Sequence, residues 1–434
     1  MTQNMNRRIP GRDSNMAAPH AAGLLAGLSG RAMSSPLGAY HVAPVARRRG
    51  SIAAGVGAAA ALTASAIAAP EGAQIVIGNV TFTQQGNNWL ITASNGAIID
   101  YVSFDILPFE TVRFLQPDTM STVLNRINSA APTRIDGTLL ANGQVYFINP
   151  AGVTFGAGSF VDCAAIYAAA ANLSNEDFLA GRNNFTGATG SVINEGTLHG
   201  STIAMIGRHV ANYGSISTPV GGTVVMAAGS DVLVGEQGGH IFARVSGDGS
   251  GMNGNSGLAG VENHGTISAP SGRALMAAGD MFGMAIFNTG TVRAREVNID
   301  GGQHGVVQIS GKIDASSTAA GTTGGSIRIV GEKVGLVGAN IDARGAAGGG
   351  SVTIGRDLTS ASDTFGAVFI GNDTTINADA TMNGNGGDVR IFGRDVSRVG
   401  GNISARGVGT GSGGSVVMAG SQMILAANVN TSGG

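Results

Sequence analysis

Acidic side chains are the first candidates for chemistry, because hydrolysis of a glycosidic bond needs two carboxyl groups held about 5–10 Å apart. Two short polar strings, NTG at Asn288–Gly290 and GQHG at Gly302–Gly305, are the candidates for such a site. No adjacent pair of aspartates lies between them, and no Arg-x-Lys sequence follows them. We therefore predict that the chain has no catalytic residues and is not an enzyme.

Histidine and cysteine form no metal-binding pattern. The seven histidines are scattered, and the single cysteine, Cys163, excludes an intramolecular disulfide. The glycine-rich stretch Ser246–Gly257 has one aspartate and lacks the spacing of a calcium-binding repeat. We predict no metal site and no cofactor. Cys163 is expected to be a small buried residue, and His199 and His264 are expected at solvated corners.

The stretch NGQVYFINPAGVTFG, Asn142–Gly156, is a candidate recognition site for a partner rather than a candidate for catalysis. Its apolar run is broken at Asn149-Pro150-Ala151-Gly152. Proline fixes φ and glycine tolerates positive φ, so this tetrapeptide predicts a turn between two strands. The same turn could also be a recognition surface, and the residues alone leave both interpretations open.

The N-terminal region predicts an export signal. Arg47–Arg49 precede an uncharged apolar run with an Ala-x-Ala site, and we place signal cleavage after Ala68. A transmembrane anchor is the alternative, but the run is mostly Ala and Gly and is only weakly hydrophobic. The 46 residues before the arginines imply either an extended signal or a later start, for example at Met33.

The charge balance argues against nucleic acid as a partner. Residues 1–68 hold seven of the 25 basic residues of the chain and one of its 27 acidic residues. The remainder therefore has 18 basic and 26 acidic residues, a net charge of −8. Nucleic-acid binding needs a basic face. Glycine is abundant, with 72 residues and no collagen period, which is typical of a structure with many tight turns.

Internal repeats dominate the C-terminal half. The string GGSIRIVG begins at Gly324, and related strings begin at Gly349, Gly386 and Gly413. Four earlier strings share the pattern apolar-x-Asn-x-Gly-[Thr/Ser]-apolar, namely VINEGTL, VANYGSI, VENHGTI and IFNTGTV. Short strands bounded by Gly and Asn at such a period predict a parallel β-helix, in which equivalent asparagines can stack into ladders. A β-propeller is the alternative, but its blades need about 40 residues and aromatic signatures that this chain lacks.

The segment before the repeats has a different composition. Thirteen of the 21 aromatic residues lie between Ala73 and Phe185, so we predict a densely packed N-terminal part that holds a cap and the first coils. Two stretches are candidate helices: Pro117–Ala130 for a single turn, and Asn172–Gly181 with Ser174 as its N-cap. The last residues show no cap, so either the cap is cryptic or the chain is part of a longer solenoid.

An ordered set of strings between about residues 87 and 200 resembles the N-terminal secretion domain of two-partner-secretion exoproteins, the filamentous haemagglutinin family. The matching pieces are SNGAIIDYVSFDI, ETVRFLQPDTMSTVLNRI, RIDGTLLANGQVYFINPAGVTFG, ANLSNEDFLAGRNNF and VINEGTLHG, in family order. Two departures stand out. Ala151 occupies a position where the family has Asn, and the companion Asn-Pro-Asn-Leu motif is absent.

The resemblance implies an all-β fold, a right-handed parallel β-helix with an N-terminal cap. It also implies passage through the periplasm and export by an outer-membrane β-barrel transporter of the two-partner-secretion type, to the cell surface or the medium. Asn149, Pro150 and Gly152 would then belong to the secretion signal.

The resemblance further implies a division of the chain and a purpose. Residues 1–68 would be a signal peptide with a long extension, 69–310 the secretion domain with cap and first coils, and 311–434 glycine-rich β-helix repeats. The purpose implied is that of a surface adhesin with a host, cell-surface or polysaccharide receptor. The alternatives are a structural or biofilm-matrix rod and, with less support, a polysaccharide-degrading β-helix enzyme.

Overall fold

The structure, a computed structural model, describes residues 70–237, 240–246, 259–355 and 366–434. The predicted signal peptide with its cleavage site at Ala68 lies outside the described residues, as does all but the first residue of the Ser246–Gly257 stretch. Within the described residues the chain forms 37 strands and one short helix. In this part of the chain, no helix has both the length and the apolar character needed to cross a bilayer.

Antiparallel strands close the N-terminal end. The first six strands are β1 (Gln74–Ile77), β2 (Val80–Gln85), β3 (Asn88–Ala93), β4 (Ala97–Tyr101), β5 (Thr111–Leu115) and β6 (Thr122–Ile127). β1 pairs antiparallel with β4, and β2 pairs antiparallel with β3. β3 and β5 pair in parallel, as do β4 and β6. The chain therefore changes from an antiparallel cap to parallel coils within these strands, which confirms the predicted cap.

The first coils contain β7 (Thr133–Ile135), β8 (Thr138–Ile148), β9 (Gly152–Phe155), β10 (Phe160–Ala169), the helix α1 (Asn175–Leu179), β11 (Asn183–Phe185), β12 (Ser191–Asn194), β13 (Thr197–His199), β14 (Thr202–Gly207), β15 (His209–Asn212), β16 (Ser215–Ser217) and β17 (Thr223–Ala228). One coil holds β12, β13 and β14, and the next holds β15, β16 and β17. Each strand of the first coil pairs in parallel with its equivalent in the second.

The later strands continue this pattern. They are β18 (Asp231–Gln237), β19 (His240–Ser246), β20 (Val261–Asn263), β21 (Thr266–Ala278), β22 (Met284–Asn288), β23 (Thr291–Asp300), β24 (Val306–Ile309), β25 (Lys312–Asp314), β26 (Ser326–Val330), β27 (Lys333–Leu336), β28 (Asn340–Asp342), β29 (Ser351–Gly355), β30 (Ala367–Ile370), β31 (Thr375–Asn377), β32 (Asp388–Phe392), β33 (Val396–Val399), β34 (Asn402–Ser404), β35 (Ser415–Ala419), β36 (Gln422–Leu425) and β37 (Asn428–Asn430). From β20 on, the strands of the described residues pair in parallel with one another, as the predicted β-helix requires.

Apolar side chains stack in rows inside the solenoid. Alternate residues of each strand point inward, and the parallel register places like residues of successive coils beside each other. One buried row consists of Val145, Ile166, Ile203, Val224, Ala274, Val297, Ile327, Val352 and Val389. Each large aliphatic side chain in such a row stabilises the fold by about 1.5–3 kcal/mol, so the core grows with every coil.

The Gly-Gly pairs of the repeats lie where neighbouring coils approach too closely for a side chain. A Cβ atom on Gly350 would overlap the carbonyl oxygen of Gly325, and one on Gly387 would overlap that of Gly350. A Cβ atom on Gly349 would overlap the carbonyl oxygen of Ala378. The repeated GG dipeptide is therefore required by the spacing of the backbone at this corner.

The asparagines of the four early strings form the predicted ladder. Nδ2 of Asn194 donates to Oδ1 of Asn212 at 2.8 Å, and Nδ2 of Asn212 donates to Oδ1 of Asn263 at 2.8 Å. Asn263 donates in the same way to Asn288 at 2.7 Å. All four side chains are fully buried. The ladder links four successive coils and satisfies amide groups that would otherwise be unpaired in the interior.

A small satellite covers the outer face of the early coils. Helix α1 and the antiparallel strands β11, β18 and β19 pack over a face in which small residues such as Ala169, Ala204, Ala227 and Ala277 leave room for them. Phe185 of the satellite is fully buried. This face is therefore closed to solvent and to partners.

One predicted helix is confirmed and the other is wrong. The Ser174 hydroxyl accepts a hydrogen bond from the Asp177 amide at 3.0 Å, which caps α1 as expected. The stretch Pro117–Ala130 instead contains strand β6, which lies between β4 and β8 in the parallel sheet. Tertiary pairing with two neighbouring strands outweighs the weak helical preference of this stretch.

Candidate functional site

The tetrapeptide Asn149–Gly152 forms a turn between β8 and β9. The Gly152 amide donates to the Asn149 carbonyl at 2.9 Å, which closes the turn. The Asn149 amide donates to the carbonyl of Ala169 in the next coil at 3.0 Å. The predicted turn is thus present, and it is tied to the coil that follows it.

The Asn149 side chain points into the protein and is fully buried. Its Nδ2 donates to the carbonyl of Ala131 at 3.0 Å and to the Thr133 hydroxyl at 3.1 Å, both in the preceding segment. Its Oδ1 accepts from the Ala151 amide at 3.0 Å. Asn149 therefore shapes the turn from inside, and its amide is not presented on the folded surface.

Gly152 and the next coil fix the other side of the turn. Gly152 has φ of +132°, and a Cβ atom there would lie 2.9 Å from the Ser191 carbonyl oxygen. The Thr189 hydroxyl donates to the Pro150 carbonyl at 2.9 Å. A Cβ atom on Gly190 would lie 2.6 Å from the same Pro150 oxygen, so the chain passes directly over the turn. Only glycine fits at both positions.

Two residues of the turn remain reachable. Pro150 and Ala151 are half-buried, whereas Asn149 and Gly152 are buried. The structure brings the predicted signal residues Asn149, Pro150 and Gly152 together in one turn, and the fourth predicted residue, Ala68, lies outside the described residues. The folded turn offers a pyrrolidine ring and a methyl group, which is a small apolar contact surface.

The comparison with protein families decides the identity of this region. The sequence model of the TPS (two-partner secretion) secretion domain matches residues 66–308, which is more than half of the chain. The chain belongs to the TPS secretion domain family. Residues 66–308 form the secretion domain of a two-partner-secretion exoprotein, and the turn Asn149–Gly152 lies within them.

Solved and curated relatives agree with this assignment. The HMW1 secretion domain from Haemophilus influenzae superposes with a TM-score of 0.72 at 27% identity, over 84% of this chain and 98% of that one. A heme/hemopexin-binding protein of H. influenzae strain Rd is 32% identical over 178 residues, which are 38% of this chain and 20% of that protein. A second heme/hemopexin-binding protein of H. influenzae is 34% identical over 24% of this chain and 11% of its own length. The chain thus spans a fifth or less of these two relatives.

A second polar cluster on the secretion domain surrounds the carboxylate of Glu262. His264 Nε2 lies 3.1 Å from Oε2, and the Tyr213 hydroxyl donates to the same oxygen at 3.3 Å. His209 Nε2 lies 3.6 Å from Oε1, and the Ala259 amide donates to Oε1 at 3.0 Å. The sequence alone did not single out this cluster, although the strings VANYGSI and VENHGTI place Tyr213 and His264 at equivalent positions of successive coils.

The two histidines expected at solvated corners are less exposed than predicted. The His264 ring stacks on the Tyr213 ring with centroids 5.0 Å apart, and it is half-buried. His199 is also half-buried, with Nδ1 3.2 Å from the Ser217 hydroxyl. In both cases the neighbouring coil supplies the partner, and a corner that looks solvated in one coil is covered by the next.

Glu262 should make the stability of the secretion domain depend on pH. Burial alone raises the pKa of this carboxyl, but hydrogen bonds from His264 and the Ala259 amide, together with the nearby His209 ring, outweigh it and hold the pKa well below its usual value of 4.5. A carboxyl with a lowered pKa in the folded state stabilises the fold above its unfolded pKa, and this contribution is lost as the pH falls towards the folded pKa.

We therefore expect Glu262→Gln to lower the free energy of unfolding by about 1–3 kcal/mol near neutral pH, because it removes a charged acceptor from buried donors. The difference from the wild type should shrink as the pH falls below about 4.5. Urea unfolding of both proteins at a series of pH values measures this. A difference that stays constant down to about pH 3 would contradict the assignment.

Cys163 is buried as predicted, and burial raises the pKa of its thiol. Its side chain belongs to the apolar core. Among the described residues, no group of three or more His, Cys, Asp or Glu side chains is placed to share a metal ion.

Proposed function

We propose that this chain is exported across the outer membrane by a β-barrel transporter of the two-partner-secretion type. The match of residues 66–308 to the TPS secretion domain family carries the proposal. We place the transport signal in residues 69–310 and the outward-facing repeats in residues 311–434. The product would reach the cell surface or the medium by way of the periplasm.

The burial of Asn149 bears on how a transporter could contact the turn. On the folded protein a partner reaches Pro150 and Ala151 but not the Asn149 amide, which is fully buried. An unfolded chain, by contrast, exposes all of these groups. Passage through a β-barrel requires an extended chain, so we place recognition of Asn149 before folding and its structural role after it.

Export is tested in the native host with and without the gene of the candidate transporter. We expect residues 69–434 in the extracellular fraction only when the transporter is present. N-terminal sequencing of the exported protein should begin at Ala69, directly after the predicted cleavage site. Equal export without the transporter would overturn the proposal.

The role of the turn is tested with an Asn149→Ala/Pro150→Ala variant. The matched control is Asn288→Ala, which removes a buried asparagine at the far end of the ladder but leaves the turn intact. We expect export to fall at least tenfold in the turn variant and to stay near the wild-type level in the control. Equal loss in both variants would assign the effect to folding and would refute the turn as part of the signal.

We further propose that the exported rod is a surface adhesin. A β-helix presents long, regular outer faces, which suit binding to an extended surface. We do not carry over the ligand named for the heme/hemopexin-binding relatives, because this chain covers only 20% of the first of them. A structural or biofilm-matrix rod is the second candidate, and a polysaccharide-degrading enzyme is the third.

The three candidates give different results with purified protein. A receptor-binding adhesin gives saturable binding to cells or to immobilised polysaccharide. A matrix rod gives weak association that rises linearly with concentration. An enzyme shortens a polysaccharide, and substitution of one pair of carboxylates abolishes the reaction.

A further inference from the structure

The outermost strands of the N-terminal cap form a sheet edge. Among the described residues, β2 pairs with β3 alone and β1 pairs with β4 alone. The pairing of β2 is regular from Val80 to Gln85, whereas β1 has a register shift between Ile75 and Ile77. β2 is therefore the regular part of this edge, and a regular edge with one side unpaired is a template for another strand.

Half of the backbone groups of β2 point away from β3. The Ser94 amide donates to the carbonyl of Asn79 at 2.9 Å, and these two residues continue the register of β2 and β3. Because hydrogen-bonded positions alternate in an antiparallel pair, the odd-numbered residues of β2 direct their N–H and C=O groups to β3. The groups directed to the free edge belong to Val80, Phe82 and Gln84.

The cap also leaves the end of the apolar core partly open. Phe82 is half-buried, whereas Ile91 and Phe114, which follow it in the same inward row, are buried. Ile75 is 47% exposed, whereas its partner Ile99 on β4 is fully buried. Two inward rows therefore end at the cap in an apolar side chain that a further strand would cover.

The edge carries no charge. Residues 72–99 contain no Asp, Glu, Lys, Arg or His, and no Pro. Charged side chains and proline are the usual means by which proteins prevent pairing at a sheet edge. The chain after residue 68 has 18 basic and 26 acidic residues, a net charge of −8, so two copies repel each other over much of their surface. At the uncharged edge this repulsion is weakest.

We propose that a second copy of this chain pairs with β2, edge to edge, so that two molecules form a dimer with their N-terminal caps in contact. An antiparallel pair of identical strands has two-fold symmetry. An axis at Phe82 lets the groups at the free edge exchange about six hydrogen bonds between the copies. It also sets Phe82 against Phe82 of the second copy, and Thr81 against its Thr83, which are favourable cross-strand pairs.

The size of this contact sets the expected affinity. At the usual density of one hydrogen bond per 100–200 Å², about six bonds correspond to roughly 600–1,200 Å² of buried surface, the low end of specific interfaces. We therefore expect a reversible dimer with a micromolar dissociation constant. The inference goes beyond export and adhesion, because it concerns the association of two copies.

Sedimentation velocity over a range of concentrations tests the dimer. The protein is purified from the medium or, if transporter-dependent export fails, from the periplasm, so the result does not depend on the transport proposal. We expect monomers at nanomolar concentration and mainly dimers above about 100 μM. Monomers alone up to about 0.5 mM would overturn the inference. Oligomers that grow beyond the dimer would also overturn it, because a two-fold contact closes at two copies.

Charged variants tie the dimer to β2. Thr83 is exposed, and Thr83→Glu would place two carboxylates about 8 Å apart across the axis, so we expect dimerisation at least tenfold weaker. Thr92→Glu is the matched control, since Thr92 is exposed on β3 and pairs with Thr81. Its two added charges would lie three strand spacings apart, about 14 Å, beyond the screening length of about 8 Å, so dimerisation should stay within about twofold of the wild type.

A mixture of Thr83→Glu and Thr83→Lys should restore the dimer, because the added charges then attract each other. This rescue also shows that both variants are folded. Equal weakening by Thr83→Glu and Thr92→Glu would assign the effect to net charge and refute pairing at β2.

Hydrogen exchange locates the contact. The amides of Val80, Phe82 and Gln84 should exchange quickly at low protein concentration and slowly at high concentration. The amides of Thr81 and Thr83 should be protected at both, because they already donate to β3. A dimer whose formation protects other segments and leaves β2 unchanged would refute the assignment of the contact to this edge.

Discussion

The Gly350→Ala variant is expected to lose on the order of 3 kcal/mol of unfolding free energy, although the change adds a single methyl group. The new Cβ atom would overlap the carbonyl oxygen of Gly325 in the preceding coil. That oxygen belongs to the backbone, so no side chain can rotate away. Relief requires separating β26 from β29, which breaks their parallel pairing.

A solenoid transmits such damage mainly to its nearest neighbours. We therefore expect the C-terminal coils of Gly350→Ala to unfold at lower urea concentration than the N-terminal part. Circular dichroism should show two transitions, and limited proteolysis should remove the C-terminal coils first. A single transition with the wild-type midpoint would contradict the steric argument.

Gly335→Ala is the matched control for this prediction. Gly335 lies in β27, and a Cβ atom there would meet no heavy atom within 4 Å. Its backbone is also not in the left-handed region. The same Gly-to-Ala change should therefore be neutral or should stabilise the protein by about 0.4–1 kcal/mol, through a less flexible unfolded chain. If Gly335→Ala lost as much unfolding free energy as Gly350→Ala, replacing any glycine of the coils would be destabilising, and the steric overlap at Gly350 would not be the cause.

The repeats were readable from sequence because each coil must place the same residue types at the same corner. The Asn-x-Gly strings predicted the ladder of Asn194, Asn212, Asn263 and Asn288, and the GG strings predicted tight turns. The sequence did not show why two glycines are needed, since the overlap at Gly350 depends on the distance between coils.

Features that depend on contacts between distant segments were not predictable. The stretch Pro117–Ala130 looked weakly helical when it was considered alone. It forms strand β6 because it pairs with β4 and β8, which are not adjacent to it in sequence. The Glu262 cluster joins His209 and Tyr213 of one coil to Glu262 and His264 of the next, and the repeat pattern alone does not show which side chains meet between coils. The signal turn was predicted from Asn149-Pro150-Ala151-Gly152, but the inward direction of the Asn149 side chain follows from Ala131 and Thr133, which lie in the preceding segment.

The second large effect is expected in the asparagine ladder. Asn212→Ala should lower the free energy of unfolding by roughly 2–4 kcal/mol. Asn212 accepts from Asn194 and donates to Asn263, both at 2.8 Å, and all three side chains are fully buried. Alanine leaves one donor and one acceptor without partners in the interior, where an unpaired polar group costs about 1–3 kcal/mol. Asn288→Ala should cost less, because within the ladder only the donor of Asn263 loses its acceptor.

The variant Asn402→Ala tests whether the destabilisation of Asn212→Ala comes from burial or from the hydrogen bond alone. Asn402 Oδ1 accepts from Asn428 Nδ2 at 3.1 Å, which is the same kind of bond between successive coils, but Asn402 and Asn428 are exposed. Water can replace the missing partner there, so the free energy of unfolding should fall by no more than about 0.5 kcal/mol. Urea unfolding of the three variants under one set of conditions gives the comparison. If Asn212→Ala and Asn402→Ala lost equal free energy, the buried ladder would add nothing beyond an ordinary surface contact, and the recurrence of asparagine in the four strings would need another cause.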